Sequence, residues 1–471
     1  MTTRLERPSM NSLQCISPID GSVYVERPLA NSTQIADAVA RAERAQQDWK
    51  STPLAQRIAL TREAIRLFSA KESQLAEELC WMMGRPIRYA AGEINGFVER
   101  ASHMADIAER ALADIHLPEK PGFIRFIRRE PLGVVLVIAP WNYPYLTAVN
   151  SVVPALLAGN SVLLKHSAQT PLCAERMVEA FAEAGLPAGV FQYLHLSHED
   201  TEQLIRAPAV RHVAFTGSEA GGAMVEHAAA GRFIGSGLEL GGKDPAYVRA
   251  DADLRHAVET TIDGAFFNSG QSCCAIERIY VHESLYDGFV EQAVALVRHY
   301  RLGRPDSPKT TLGPLVRPAA ADFVREQIAE AVAKGAKTHI DPADFPLDQP
   351  GSAYLAPQVL TGVNHAMRVM TEESFGPVVG IQKVRDDDEA LALMNDSDFG
   401  LTAAIFSRDE TTALALADRL DTGTVFLNRC DYLDPALAWT GVKNSGRGCT
   451  LSTLGYDHLT RPKSFHFKTQ L

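Results

Sequence analysis

Two cysteines stand side by side in Phe266-Phe267-Asn268-Ser269-Gly270-Gln271-Ser272-Cys273-Cys274-Ala275, a turn-rich stretch after an apolar helical pattern. Upstream lies a glutamate, in Glu239-Leu240-Gly241-Gly242-Lys243. Taken alone, free cysteine is most often a small buried hydrophobe. A thiol together with a carboxylate able to activate water is the equipment of acyl-enzyme chemistry. Sulfur attacks a carbonyl, and water later releases the acid. Gly235, Gly237, Gly241 and Gly242 around Glu239 let the backbone turn tightly and approach a ligand. Attack on a carbonyl creates an oxyanion, which needs hydrogen-bond donors already in place. The Asn142 amide in Pro140-Trp141-Asn142-Tyr143-Pro144 is one such donor, and the backbone N–H of Cys273 is a second. A proline-bounded turn is also an ordinary place for asparagine.

These residues need elements to position them. Val134–Ala139 is an apolar run between Gly133 and Pro140 and reads as a buried strand just ahead of Asn142. Strands are expected at 161–165, 190–194 and 210–215, with a helix over 170–184 stopped by Gly185 and Pro187. The last strand runs into Phe215-Thr216-Gly217-Ser218, with Gly221 and Gly222 beyond. Such a strand-to-helix turn is where dinucleotide phosphates settle in open α/β sheets, although the GxGxxG fingerprint is absent. A second alternating stretch runs from a helix at 254–267 through a strand at 278–281, a helix at 284–298, a strand at 404–406, a helix at 409–419 and a strand at 424–427. Both stretches predict α/β architecture with mostly parallel sheets. Residues 123–129 and 462–471 fit neither sheet; they alternate like exposed strands, whose edges need a partner.

At 471 residues the chain exceeds one ordinary core, so two or three domains are expected. Hydrophobic content of 46% and charged content of 22% are those of a soluble globular enzyme. The net charge of −11, with no basic patch, argues against a nucleic-acid partner. The 7 cysteines are scattered without CxxC spacing, which excludes a disulfide framework or zinc knuckle and fits a reducing cytoplasm. No signal-peptide core or membrane-length apolar run is evident, so no membrane partner is expected. His195 and His198 have HxxH spacing but read as solvated surface at a strand end, and no metal is expected.

Taken together, Gly270-Gln271-Ser272-Cys273, Glu239-Leu240-Gly241-Gly242-Lys243, Pro140-Trp141-Asn142-Tyr143-Pro144, Glu372-Glu373-Ser374-Phe375-Gly376-Pro377 and Gly441-Val442-Lys443-Asn444-Ser445-Gly446-Arg447-Gly448 resemble the motifs of the aldehyde dehydrogenase superfamily, in family order. The resemblance spans roughly residues 15–471. It implies NAD(P)-dependent oxidation of an aldehyde to a carboxylate through a cysteine thiohemiacetal and thioester, without CoA. Cys273, two residues after Gln271, is the implied nucleophile, Glu239 the general base and Asn142 the oxyanion donor. Trp141, Lys165, Ala168, Gly217, Ser218, Glu373 and Phe375 fall at cofactor positions, for NAD or NADP. Tyr143, Asn150, Arg429, Leu433 and Trp439 fall where the family lines its substrate funnel. The implied fold is a modified Rossmann cofactor domain (1–114 and 132–241), an α/β catalytic domain (242–445) and a small β oligomerisation element (115–131 and 446–471), in a homodimer or homotetramer.

Three positions depart from the family pattern. NAD-preferring members often carry Glu where Ala168 stands, so both cofactors are expected to work, with NAD used at least as well as NADP. Thr450 replaces a common secondary glutamate. Semialdehyde-specific members often place Arg, and apolar-aldehyde members Trp, at the position of Asn150. Neutral medium-sized aldehydes are therefore expected to outperform succinic semialdehyde, with Arg429 the one candidate for a carboxylate clamp. A semialdehyde-specific enzyme, a CoA-acylating dehydrogenase and a non-catalytic structural homologue are the alternatives.

Overall fold

The computed structural model describes residues 12–470. Val134–Ala139 is buried along its whole length, as an apolar run covered on both faces must be. It lies inside a six-stranded sheet in the order Gly446–Arg447, Gly235–Glu239, Val210–Thr216, Val134–Ala139, Ser161–His166, Phe191–Tyr193. All neighbours are parallel except Gly446–Arg447, which runs antiparallel to Gly235–Glu239 at the edge. The strand order reverses beside Val134–Ala139, where ligands of open α/β sheets bind at the carboxyl ends. Asn142 follows that strand, Thr216 and Gly217 close the neighbouring one, and Glu239 ends the next.

A seven-stranded sheet forms the second layer system: Lys337–Thr338, Gln358–Thr361, Val378–Val384, Ile276–His282, Asp244–Val248, Thr402–Phe406, Thr424–Leu427, parallel except for the first pair. Helix Leu254–Phe266 leads into the cysteine loop and strand Ile276–His282 leaves it. The loop is thus anchored at both ends by buried elements.

The two segments that fitted neither sheet pair with each other. Phe123–Pro131 and Thr460–Lys468 run antiparallel in continuous register, with Ile115–His116 on the other side of Phe123–Pro131. The Phe126 and Phe465 rings stack at 4.4 Å across the pair. Gly446 and Arg447, grouped in the sequence with the C-terminal tail, instead edge the first sheet; a two-residue pairing leaves no periodic signature. Residues 1–11 and 471, which the expected boundaries include, lie outside the described residues. Among the described residues no helix is long and apolar enough to cross a membrane.

Candidate active site

The cysteine loop is an unusual piece of backbone. Asn268 and Ser269 sit at φ 53° and 57°, and Gly270 at 74°. A Cβ at Gly270 would meet the Gly376 carbonyl at 2.2 Å, so only glycine fits there. Polar side chains hold this shape. Ser269 Oγ donates to Gly313 O (2.8 Å), Gln271 Nε2 to Asn268 O (3.1 Å), and Gln271 Oε1 accepts from Val316 N (2.8 Å). Asn142 Nδ2 donates to Gln271 O at 3.3 Å, which ties the Asn142 turn to the cysteine loop. Its second amide proton has no acceptor among the described residues. Arg85 clasps both segments, donating to Asn142 O (2.6 Å) and Asn268 Oδ1 (3.3 Å) while pairing with buried Glu93. Glu93 also caps helix Pro144–Leu157, accepting from Tyr145 N (2.9 Å) and Leu146 N (3.0 Å).

The two cysteines are in different surroundings. Cys273 is half-buried and lines a cavity of about 640 Å³ that Glu239 also lines. Cys274 is buried, with Sγ donating to Asp431 Oδ1 at 3.0 Å. Its thiol pKa is held well above the usual range by a side-chain hydrogen bond with Cys273 and by burial. Both cysteines border the cavity, but Cys273 is the more exposed of the two and Cys274 is tied to Asp431.

Glu239 sits between two hydroxyls. Thr216 Oγ1 donates to Oε2 (2.9 Å) and Thr450 Oγ1 to Oε1 (2.6 Å). Burial raises its pKa; the two hydroxyls and the positive charge of Arg100 work against that rise by favouring the carboxylate. Thr450 thus has a definite task where the sequence showed only a missing carboxylate.

Tyr143, Asn150, Leu433 and Trp439 line the same cavity, together with Thr147 and Leu146. Arg429 does not: it is exposed, its guanidinium stacked 3.6 Å from the Tyr432 ring centroid. Two arginines line the cavity: Arg85, whose guanidinium is taken up by Asn268, Asn142 and Glu93, and Arg100, from helix Ile87–Ala111. Arg100 is 8% exposed, and Nη1 donates to Leu146 O (2.6 Å) and Asn150 Oδ1 (3.3 Å). Nε and Nη2 have no protein acceptor among the described residues. Burial lowers its pKa, yet a guanidinium stays charged at any ordinary pH. Asn150, which matched neither family preference, orients this arginine. The signal in the sequence is the helical spacing of Glu93, Phe97, Arg100 and Met104, which puts two charged residues on a face of core residues.

The proposed cofactor residues gather at the carboxyl ends of the six-stranded sheet and next to the cysteine loop. Lys165 is buried at the end of Ser161–His166 with its pKa lowered by burial, and it makes no hydrogen bond to protein among the described residues. A buried ammonium in that state suits a ligand oxygen. Ser218 caps helix Glu219–Ala229, Oγ accepting from Gly221 N at 3.2 Å, and Gly217 and Gly221 let the turn lie on the Phe215 ring. A helix N-terminus of this kind suits phosphate. Ala168 is exposed in the turn after Ser161–His166. Glu373 accepts from Gly242 N (3.0 Å), and burial followed by the charge of Glu277 pushes its pKa up to about 8. At neutral pH it therefore has an O–H to offer as well as an acceptor, which suits a sugar diol. Trp141 and Phe375 pack edge to face at 5.7 Å. These features fit a nicotinamide dinucleotide.

Two further residues support the site. Lys243 and Glu277 form a fully buried ion pair, and Glu277 accepts from Ser374 N and Phe375 N, while Lys243 Nζ donates to Ser374 Oγ at 3.1 Å. This joins the Glu239 segment to the Glu373 segment. Glu277 sits beside Arg278 in a buried strand, and a charged pair there is its only trace in the sequence. His195, read as solvated surface, instead pairs with Glu175 at 3.0 Å with its side chain 9% exposed. Among the described residues no group of three or more His, Cys, Asp and Glu side chains is placed to hold a metal ion.

The aldehyde dehydrogenase family model matches residues 5–465. The NADP(+) succinate-semialdehyde dehydrogenase of Deinococcus radiodurans is 37% identical over 462 residues, covering 98% of this chain and 95% of its own. Its counterpart from Mycobacterium tuberculosis is 36% identical over 442 residues, covering 93% and 96%. The crystal structure of succinic semialdehyde dehydrogenase from Streptococcus pyogenes in complex with NADP+ superposes with a TM-score of 0.92 at 30% identity, covering 97% of this chain and 100% of that one. Sequence and fold therefore agree over nearly the whole length, and the chain belongs to the aldehyde dehydrogenase family.

Proposed function

We propose that this NAD(P)-dependent aldehyde dehydrogenase acts on an aliphatic aldehyde with a distal carboxylate, succinic semialdehyde or a close relative, and prefers NADP. The observation that carries this reading is Arg100: a buried guanidinium in the cavity of Cys273, with two nitrogens free of protein acceptors. A desolvated guanidinium binds a carboxylate through paired N–H donors. The expectation of a neutral substrate rested on the lack of arginine at Asn150, and it gives way to an arginine that reaches the cavity from another helix. The relatives from Deinococcus and Mycobacterium carry names of the same substrate class.

In this reading Cys273 attacks the aldehyde carbon as thiolate, forming the C–S bond. The Asn142 amide and the Cys273 N–H donate to the oxyanion. The thiolate is not stabilised by a helix N-terminus, since helix Leu254–Phe266 precedes it; the charge of Arg100 acts across the cavity on Cys273 and Glu239. Lys165, Ser218, Glu373 and Phe375 would hold a nicotinamide dinucleotide, which would supply the two-electron oxidant for hydride loss from the thiohemiacetal carbon, leaving the thioester on Cys273. Glu239 then removes a proton from the water that attacks the thioester, and the acid leaves as Cys273 is restored.

Arg100→Met is expected to lower kcat/KM for succinic semialdehyde about 10- to 150-fold, the value of one charge-assisted hydrogen bond of about 1.5–3 kcal/mol. Hexanal or benzaldehyde should lose less than about threefold. Equal losses on charged and neutral aldehydes would remove the clamp. Cofactor preference rests on Ala168, which leaves no carboxylate to repel a 2′-phosphate. Ala168→Glu should depress turnover with NADP while sparing NAD, read as the ratio of kcat/KM values. A wild-type enzyme that turns over with NAD alone would refute the preference.

Two coarser features complete the proposal. The paired strands Phe123–Pro131 and Thr460–Lys468 leave Ile124 at 51% and Phe467 at 53% exposure, which supports assembly of a homodimer or homotetramer through them. Light scattering should give a multiple of the chain mass that falls in Ile124→Lys/Phe467→Lys; a wild-type monomer would contradict it. Seven unpaired cysteines support a reducing compartment, the cytoplasm.

A further inference from the structure

A second large cleft opens at the opposite end of the six-stranded sheet. It is lined by Gly133 and Val134 at the start of one strand and by Ala209 just before another, so it lies at the amino ends of strands whose carboxyl ends carry the active site. Its volume is about 620 Å³. The cations around it divide into two groups. Arg128 pairs with Asp114 (3.0 Å), Arg129 with Asp457 (2.9 Å) and Arg461 with Glu130 (3.4 Å). Lys50, Arg57 and Arg211 pair with no carboxylate among the described residues, and Glu43 is the one lining carboxylate outside these pairs.

Arg57 is the unusual member. It lies on helix Leu54–Ser69 and is 9% exposed. Its guanidinium rests against Gly159, where a Cβ would meet Nη1 at 2.6 Å. Nε is buried without a hydrogen-bond partner, and no nitrogen of the group donates to protein among the described residues. A buried, unpaired charge costs stability unless a partner is supplied. Nothing in the catalytic cycle uses it.

We infer that this cleft is a second binding site, for a small multivalent oxyanion, with Arg57 at its floor and Lys50 and Arg211 at its rim. The planar fork of Arg57 matches two oxygens of one carboxylate or phosphate group. Together with Arg57 the two rim cations outnumber the unpaired Glu43 carboxylate and favour an anion with more than one negative charge. The lining is too polar for an apolar ligand, and the buried guanidinium excludes a metal cation.

The test uses the full-length enzyme with citrate and with inorganic phosphate, each against sodium chloride of equal ionic strength. A saturating oxyanion, at about 100 times its Kd, should raise the melting temperature about 2–3 °C for a chain of this size. Arg57→Met should melt higher than wild type without anion, because an unpaired buried charge is gone, and should lose the anion response. Arg211→Gln alters only the exposed rim, so it should keep the wild-type melting temperature and weaken the anion about tenfold. A response to citrate, to phosphate or to both supports the site and identifies which oxyanion it takes. The inference is overturned if chloride reproduces the response or if Arg57→Met retains it. It is also overturned if Arg57→Met lowers the melting temperature and reduces the particle mass, which would make the cleft a contact between copies of the chain.

Discussion

Cys273→Ala is expected to abolish aldehyde oxidation, by on the order of 10⁶-fold as for loss of a nucleophile in other covalent catalysts, with cofactor binding intact. Cys274→Ala is expected to keep most of the wild-type rate. The neighbours differ in environment, not in type. Cys273 is half-buried in the cavity that Glu239 also lines, whereas Cys274, at the wall of the same cavity, is buried with its sulfur donating to Asp431 at 3.0 Å. Its raised pKa leaves almost no thiolate at neutral pH. Steady-state NAD(P)H absorbance, with cofactor binding followed by fluorescence, reads both variants. Two single mutants that both turn over normally would remove the assignment.

The second large effect belongs to Glu239. Glu239→Gln should slow thioester hydrolysis about 10²- to 10⁴-fold, the usual cost of a lost general base. Hydride transfer precedes that step, so rapid mixing should show a burst of NAD(P)H followed by slow turnover. A first turnover slowed as much as the steady state would place Glu239 earlier, at activation of Cys273. The pH dependence has a definite sign. A base works when ionised, and burial holds this carboxyl above the ordinary glutamate value of about 4.3. Hydrolysis is therefore full at high pH and lost as pH falls through that raised value. Thr450→Val removes a hydrogen bond that favours the carboxylate, so it should move the acidic limb to still higher pH. Glu239→Gln should erase the limb.

How much of this was legible depended on how far apart in the chain the interacting groups lie. Val134–Ala139, Ser161–His166 and Val210–Thr216 are short apolar runs with turn residues at their ends, and the parallel sheet follows from their alternation with helices. Cys273, Glu239 and Asn142 were recognisable because each sits in a distinctive local motif. Arg100 had no motif. Its meaning comes from Asn150 and Leu146 on another helix, and a local reading of Asn150 as a substitute for arginine missed that it holds one. Thr450 likewise reads as an absence until Glu239 is seen beside it. Arg429 showed the reverse error: proximity in sequence to the cavity-lining loop, but a side chain laid on Tyr432 outside. The pairing of Phe123–Pro131 with Thr460–Lys468 was foreseen only as two edges in need of partners, because register between distant strands leaves no mark in either.

One of the two hydroxyls that steady Glu239 comes from a residue 211 positions further along the chain. The edge strand beside Glu239, Gly446–Arg447, comes from the same late segment, and so does the strand that covers Phe123–Pro131. During synthesis, at about 5–20 residues per second, a growing chain therefore carries Cys273 and Glu239 for many seconds before Thr450 can reach Glu239. The first sheet waits open at one edge throughout that interval. The arrangement around Glu239 thus waits for residues 446–468 to emerge, and a chain lacking them would be exposed along two strand edges to adhesion with its neighbours.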